Sequence, residues 1–84
     1  MNQIMLLYAI WDTVAENYGF VFEQQNHGTA VRSIRTQMNA DDNKDDYQLH
    51  CLGEFNHKTG TIKLNPDGNI NIPWQEKEVR GDPL

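Results

Sequence analysis

The sequence predicts a small α+β domain built on an antiparallel sheet with one covering helix. Three stretches carry that expectation. GFVFEQ (residues 19–24) alternates as a strand does, and TAVRSIRTQMN (29–39) repeats its apolar residues at helical spacing. YQLHCLGEFNHKTGTIKL (47–64) reads as two strands around a short loop ending in glycine. At 84 residues the chain is one domain, placed here at 1–74, with 75–84 as a flexible C-terminal tail.

The first segment has two readings. Asp12, Thr13, Glu16 and Asn17 would share one face of a helix running from Gln3 to Tyr18, with Gly19 as its cap. Residues 4–11, however, form an eight-residue apolar block of strand length. A strand there, a loop over DTVAENY and a second strand from Gly19 would make a hairpin. In that second strand Phe20 and Phe22 share one face, and Val21 and Glu23 the other. The residues themselves leave both readings open.

The helix that follows is clearer. Ala30, Val31, Ile34 and Met38 form its apolar stripe, with Arg32, Arg35 and Asn39 beside it. Asn26 or Thr29 can cap its start, and the acidic loop DDNKDD ends it. In the next run Tyr47, Leu49 and Cys51 point one way, while Gln48, His50 and Leu52 point the other. Gly53 breaks the alternation, which predicts a bulge. TIKL returns as the partner strand. The remainder, from Asn65, holds all three prolines, and reads as a turn followed by an extended or disordered segment. Ile70, Ile72 and Trp74 are the residues able to pin it.

A domain of this size buries roughly 60–65% of the surface its unfolded chain exposes, so the core is thin and self-association a natural supplement. TIKL is the expected edge for a homodimer or higher homo-oligomer. One cysteine, Cys51, cannot form an internal disulfide, and a reducing compartment is the expectation. The apolar run at 4–11 lacks a basic leader and a cleavage site and is too short to span a bilayer, so no membrane association is expected. The formal charge of −5 argues against a strongly electrostatic nucleic-acid binder. Much of it is local, because 41–46 alone carries four acids against one lysine.

Several sites are spelled weakly. His50 and Cys51, adjacent on a strand, leave opposite faces and cannot readily share a metal ion, and His57 sits at a hairpin tip. Asp41, Asn43 and Asp45 alternate as at the start of a calcium loop. Asp46 and Leu52 then occupy the positions that need glycine and glutamate. Glu54, His50 and Cys51 have no oxyanion donor or pocket to make them a thiol triad. Arg80-Gly81-Asp82 spells an adhesion tripeptide, which carries no weight in a reduced intracellular chain. No metal, cofactor or catalysis is expected. Nucleic acid is the better-supported chemistry, since single-strand binders combine cations with aromatic platforms. Arg32 and Arg35 share a helix face, Lys58 and Lys63 flank the hairpin, and Trp11, Tyr18, Phe20, Phe22, Tyr47 and Phe55 are available. For most of these aromatics, packing in the core of a small domain is the weightier expectation.

Taken together, LYAIWDTVAENYGFVFEQQNHGTAVRSI and DDYQLHCLGEFNHKTGTI resemble the small nonstructural protein of gokushoviruses, tailless single-stranded-DNA phages of the Microviridae. The resemblance rests on Trp11-Asp12, Ala15 and Tyr18, the paired aromatics Phe20 and Phe22, and Gly28 with Ala30 and Arg32. It continues through Asp46-Tyr47, Leu52-Gly53-Glu54-Phe55 and Thr59-Gly60. Gly19 stands where that family usually has proline, the loop after the helix is shorter, and the residues beyond Asn65 have no counterpart. The resemblance implies the order strand-strand-helix-strand-strand, which favours the N-terminal hairpin. It also makes His50, Cys51 and His57 decoration on a hairpin. It further implies a non-catalytic protein of the host bacterial cytoplasm, acting in genome replication or packaging by binding single-stranded DNA. The expected contacts are Arg32, Arg35, Lys58, Lys63, Trp11 and Phe22. The alternative is an adaptor that acts on a replication initiator or host factor without touching DNA.

Overall fold

The computed structural model describes residues 3–38 and 40–75. The elements run β1 (Ile4–Asp12), β2 (Asn17–Gln24), α1 (His27–Met38), a 3₁₀ turn at Lys44–Asp46, β3 (Tyr47–Asn56), β4 (Thr61–Leu64) and β5 (Ile70–Ile72). All strand pairs are antiparallel, in the order β2-β1-β3-β4, with β5 also on β3. This is the predicted α+β class, with a fifth strand that the sequence reading left as an extended segment. The tail placed at 75–84 lies outside the described residues except for Gln75. That side chain donates to the carbonyls of Tyr47 (3.0 Å) and Lys44 (3.4 Å).

The N-terminal segment is the hairpin, not the helix from Gln3 to Tyr18. Its turn is shorter than the expected loop, because Asn17 and Tyr18 already belong to β2 and pair with Asp12 and Trp11. Asp12 closes that turn. Its Oδ1 accepts the N–H groups of Val14 and Ala15, its carbonyl accepts that of Glu16, and Glu16 takes a left-handed φ of 59°.

Helix α1 begins two residues before the predicted start. Asn26 holds the N-terminus, with Oδ1 accepting from the Thr29 N–H at 2.9 Å and its carbonyl from the Thr29 hydroxyl at 3.0 Å. The predicted stripe packs as expected: Ala30 and Ile34 are buried, and Val31 and Met38 lie against the core.

Strand β3 is the centre of the sheet. Along one side it pairs with β1 from Ile4↔Asn56 to Asp12↔Tyr47. Its other side is shared, with Gly53 to Asn56 pairing to β4 and Leu49 to Cys51 pairing to β5. Asn65 turns the chain between those two, donating its N–H to the Leu52 carbonyl and its Nδ2 to the Cys51 carbonyl. The bulge predicted at Gly53 is present, because Leu7 faces Gly53 while Tyr8 faces Cys51, leaving Leu52 as the extra residue.

The core lies between the sheet and α1. Tyr8, Ala30, Ile34, Leu49, Cys51, Ile72 and Trp74 are buried together. Tyr8 stacks on Phe22 at 5.8 Å and shares a 2.7 Å hydrogen bond with His27 Nδ1. Burial, and the Cys51 thiol nearby, push its phenol pKa to about 12. Trp74, 1% exposed, is the largest fully buried side chain. Its indole N–H donates to the Tyr47 carbonyl at 3.0 Å, and its own carbonyl accepts from Arg35 Nε at 2.7 Å. Ile72 and Trp74 are thus pins, as the sequence predicts, whereas Ile70 is 47% exposed.

Gly53 has no room for a side chain. A Cβ built there would run into the Lys63 carbonyl oxygen and lie 2.8 Å from Leu64 Cα, both backbone atoms of β4. Gly53→Ala should therefore destabilise the domain by about 3 kcal/mol or more, since backbone in a paired strand gives way less easily than a side chain. Chemical denaturation of the two proteins checks this, and a cost below about 1 kcal/mol would show that β3 and β4 are not held this close.

Candidate functional site

Among the described residues one helix covers one face of the sheet and no element covers the other. By register the open face carries Met5, Leu7, Ala9 and Trp11 of β1, which alternate with the core-facing Leu6, Tyr8 and Ile10. At the Trp11 end the aromatic rings gather. Trp11 lies 4.7 Å from Tyr18 of β2 and is parallel to His50 of β3 at 6.3 Å, within 13°. At the opposite end Phe55 meets His57 edge-on at 4.8 Å. Exposed Val21, Ile62 and Leu64 extend the apolar surface between and beside these clusters.

A chain of hydrogen bonds runs through the Trp11 cluster. Asn69 Nδ2 donates to the Tyr18 oxygen at 2.8 Å, and Tyr18 and His50 Nδ1 are 2.8 Å apart. His50 Nε2 lies 2.9 Å from Gln48 Oε1. The Gln48 oxygen accepts from Nε2–H, and in the neutral ring Nδ1 accepts from the Tyr18 hydroxyl. Partial burial favours the neutral ring by lowering the His50 pKa from its ordinary value. The phenol and imidazole are thus held in place by hydrogen bonds, with the indole packed against both, parallel to His50 while Tyr18 stands tilted between them.

The six residues expected to meet DNA do not converge. Trp11 lies on the open face, but Phe22 is on the covered one, stacked on Tyr8 within the core. Arg32 is exposed on α1, while Arg35 is half-buried with its Nε on the Trp74 carbonyl. The expectation that both arginines form an exposed face therefore holds for Arg32 and fails for Arg35. The cause is the C-terminal segment, which crosses α1 and needs a donor for its backbone. Lys58 is exposed at the hairpin tip, and Lys63 on β4 stands opposite Glu54, on the side of the sheet that the helix covers. Among the described residues Arg32, Lys58 and Lys63 have no side-chain hydrogen bond or ion pair.

Tyr18, His50, Phe55 and His57 belong to the open face but are not among the six expected contacts: in the sequence Tyr18 and Phe55 are only available aromatics, and His50 and His57 hairpin decoration. The alternation of β3 does put His50 opposite Cys51, but only the register of β1 against β3 brings it to Trp11. His57 Nε2 lies 2.8 Å from Glu23 Oε1 across the sheet. Charge is distributed unevenly. Partial burial, and then the nearby carboxylates of Asp41, Asp12 and Asp46, hold the Tyr47 phenol above its usual range. The free cation Lys58 is at the other end of β3. Among the described residues no group of three or more His, Cys, Asp or Glu side chains gathers as a metal site, and no helix is long and apolar enough to cross a membrane.

A family model described as Phage ORF5 protein matches residues 5–72, from the second residue of β1 to the last of β5. No curated protein and no solved structure matches the chain.

The two arginines of α1 should separate on substitution. Arg35→Ala removes a charged donor from a partly buried carbonyl and should cost about 1.5–3 kcal/mol, whereas Arg32→Ala should cost less than about 0.5 kcal/mol. Thermal unfolding compares them directly. Equal losses would show that the Arg35–Trp74 bond does not hold the C-terminal segment down.

Proposed function

The chain belongs to the Phage ORF5 protein family, and so is a bacteriophage protein, and from that premise we propose that it binds single-stranded DNA without catalysis. Its setting in this reading is the host bacterial cytoplasm, in the replication or packaging of a gokushovirus-like genome of the Microviridae. The observation that supports this best is the open sheet face with Trp11, Tyr18 and His50 packed together. Every base has a π-face, so such a platform binds bases without regard to sequence. Pre-ordering by Asn69 and Gln48 lowers the entropy lost when a base stacks. The strand would run along the face from the Trp11 platform towards Phe55 and Lys58. Phosphates would meet the free cation Lys58 at that end, and the carboxylates near Tyr47 would repel them at the other, while Lys63 and Arg32 stand on the helix side of the sheet. Newly displaced strands captured in this way are withheld from copying and left for packaging.

A second reading is favoured by one observation, the net charge of −5. In it the same face docks a phage or host replication protein, and the chain acts as an adaptor with no DNA contact.

Titration with a single-stranded oligonucleotide over a range of salt separates the two. The DNA reading expects affinity that falls with salt, by about 0.7 log units per log unit of salt for each phosphate neutralised, so replacing Lys58 should flatten the slope by about 0.7, while replacing Arg32 should leave it unchanged. Trp11→Ala should weaken binding about 5- to 150-fold, the equivalent of about 1–3 kcal/mol for one stacked base. Absence of measurable binding at low salt would remove the DNA reading and leave the adaptor.

A further inference from the structure

The two edges of the sheet differ in a way that points to a second copy of this chain. One edge is divided between β4, of four residues, and β5, of three, with a turn between them. Lys63, Pro66 and Pro73 lie along it, and lysine, proline and short strands are what native sheets use to prevent strand addition. The other edge is β2, eight residues long. Asn17–Gln24 contains no lysine, arginine or proline, and among the described residues no strand pairs with its outer side. It also displays Phe20, 80% exposed, and Val21, 54% exposed.

We propose that two copies join by pairing β2 with β2 antiparallel across a two-fold axis at Val21. The exposed groups are self-complementary in that register. Val21 faces the partner's Val21, a β-branched pair at ordinary cross-strand distance. Phe20 faces the partner's Phe22, on the side that carries α1. Beside Phe22 lies a cleft of about 190 Å³ between β2 and α1, lined by the apolar Ile10, Phe20, Ile34 and Met38 and by the polar Ser33 and Gln37 among others. The protruding ring of one copy thus meets the cleft of the other, twice by symmetry, which is the pattern of an isologous interface. Electrostatics permits it too. Glu23 is the only charged residue of β2, it is engaged with His57, and it falls opposite the partner's Gly19, which has no side chain. The two Glu23 carboxylates end up at opposite ends of the seam.

A two-fold axis perpendicular to the sheet keeps both helices on one side and merges the two open faces into one surface. The inference rests on the edge alone and stands or falls without the DNA reading.

Sedimentation across a concentration series, with no nucleic acid present, tests it together with cysteine crosslinking. The wild-type chain should be dimeric at high concentration. Phe20→Lys should raise the dimer dissociation constant by about 100-fold or more, as expected for a central interface aromatic. Its fold, checked by circular dichroism, should survive because Phe20 is exposed. Val21→Cys should form a disulfide-linked dimer under mild oxidation, and Ile62→Cys on β4 should not. The native thiol is buried and adds little background. A wild-type chain that stays monomeric, crosslinking at Ile62→Cys in place of Val21→Cys, or undiminished dimerisation of Phe20→Lys would each overturn the proposal.

Discussion

A sheet has two faces, and the one helix described here can cover only one of them. From that constraint most of the structure follows. The covered face must be closed by whatever the chain has left, and it is Trp74 that does so, reaching back from the end of β5 to lie buried among Tyr8, Ile34 and Leu49. The backbone that brings the indole there crosses polar ground, so Arg35 and the Tyr47 carbonyl supply its hydrogen bonds. Removing so large a buried side chain typically costs about 3–5 kcal/mol, a large share of what a small domain has. Arg35 is therefore occupied with stability, although its position beside a free arginine suggests otherwise.

The open face is left with rows of apolar and aromatic residues that water must meet. An isolated apolar sheet face would be a liability. Here Tyr18 and His50, in its most aromatic part, are held by a hydrogen-bond chain, and partial burial of the His50 ring favours its neutral form. The acidity of the chain does not contradict a nucleic-acid partner. Stacking acts at contact, whereas the carboxylates near Tyr47 act through a screened field that falls off within about 8–10 Å at ordinary salt. The placement of those acids at the Trp11 end and of Lys58 at the other would orient a polyanion rather than exclude it.

Local signals in the sequence carried much of the fold. The stripe Ala30, Val31, Ile34 and Met38, the alternation of β3 and the Asn56–Thr61 connection all depend on neighbours within a few residues. The bulge at Leu52 was legible because glycine interrupts a strand for few reasons. The structure shows the reason, an approach of β3 to β4 that no Cβ could survive. What was not legible is long-range. The pairing of Ile70–Ile72 with β3 joins residues about 20 apart through a turn with no strand-like pattern. The Trp11–Tyr18–His50 platform needs the registers of two separate strand pairs at once. Phe22 and Trp11 look alike as candidates in the sequence, and only the hairpin register, which sets Phe22 opposite the buried Tyr8 and Trp11 opposite Tyr18 on the other face, separates them.

In the proposed function the helix-free face, and not α1, is the binding surface. Chemical-shift mapping of the isotopically labelled protein with a short single-stranded oligonucleotide tests it most directly. Perturbations confined to the Trp11 indole, Tyr18, His50 and Phe55, with Ala30, Ile34 and the Trp74 indole unmoved, are what the account predicts. Perturbations centred on α1 around Arg32, with the Trp11 indole unchanged at saturation, would contradict it.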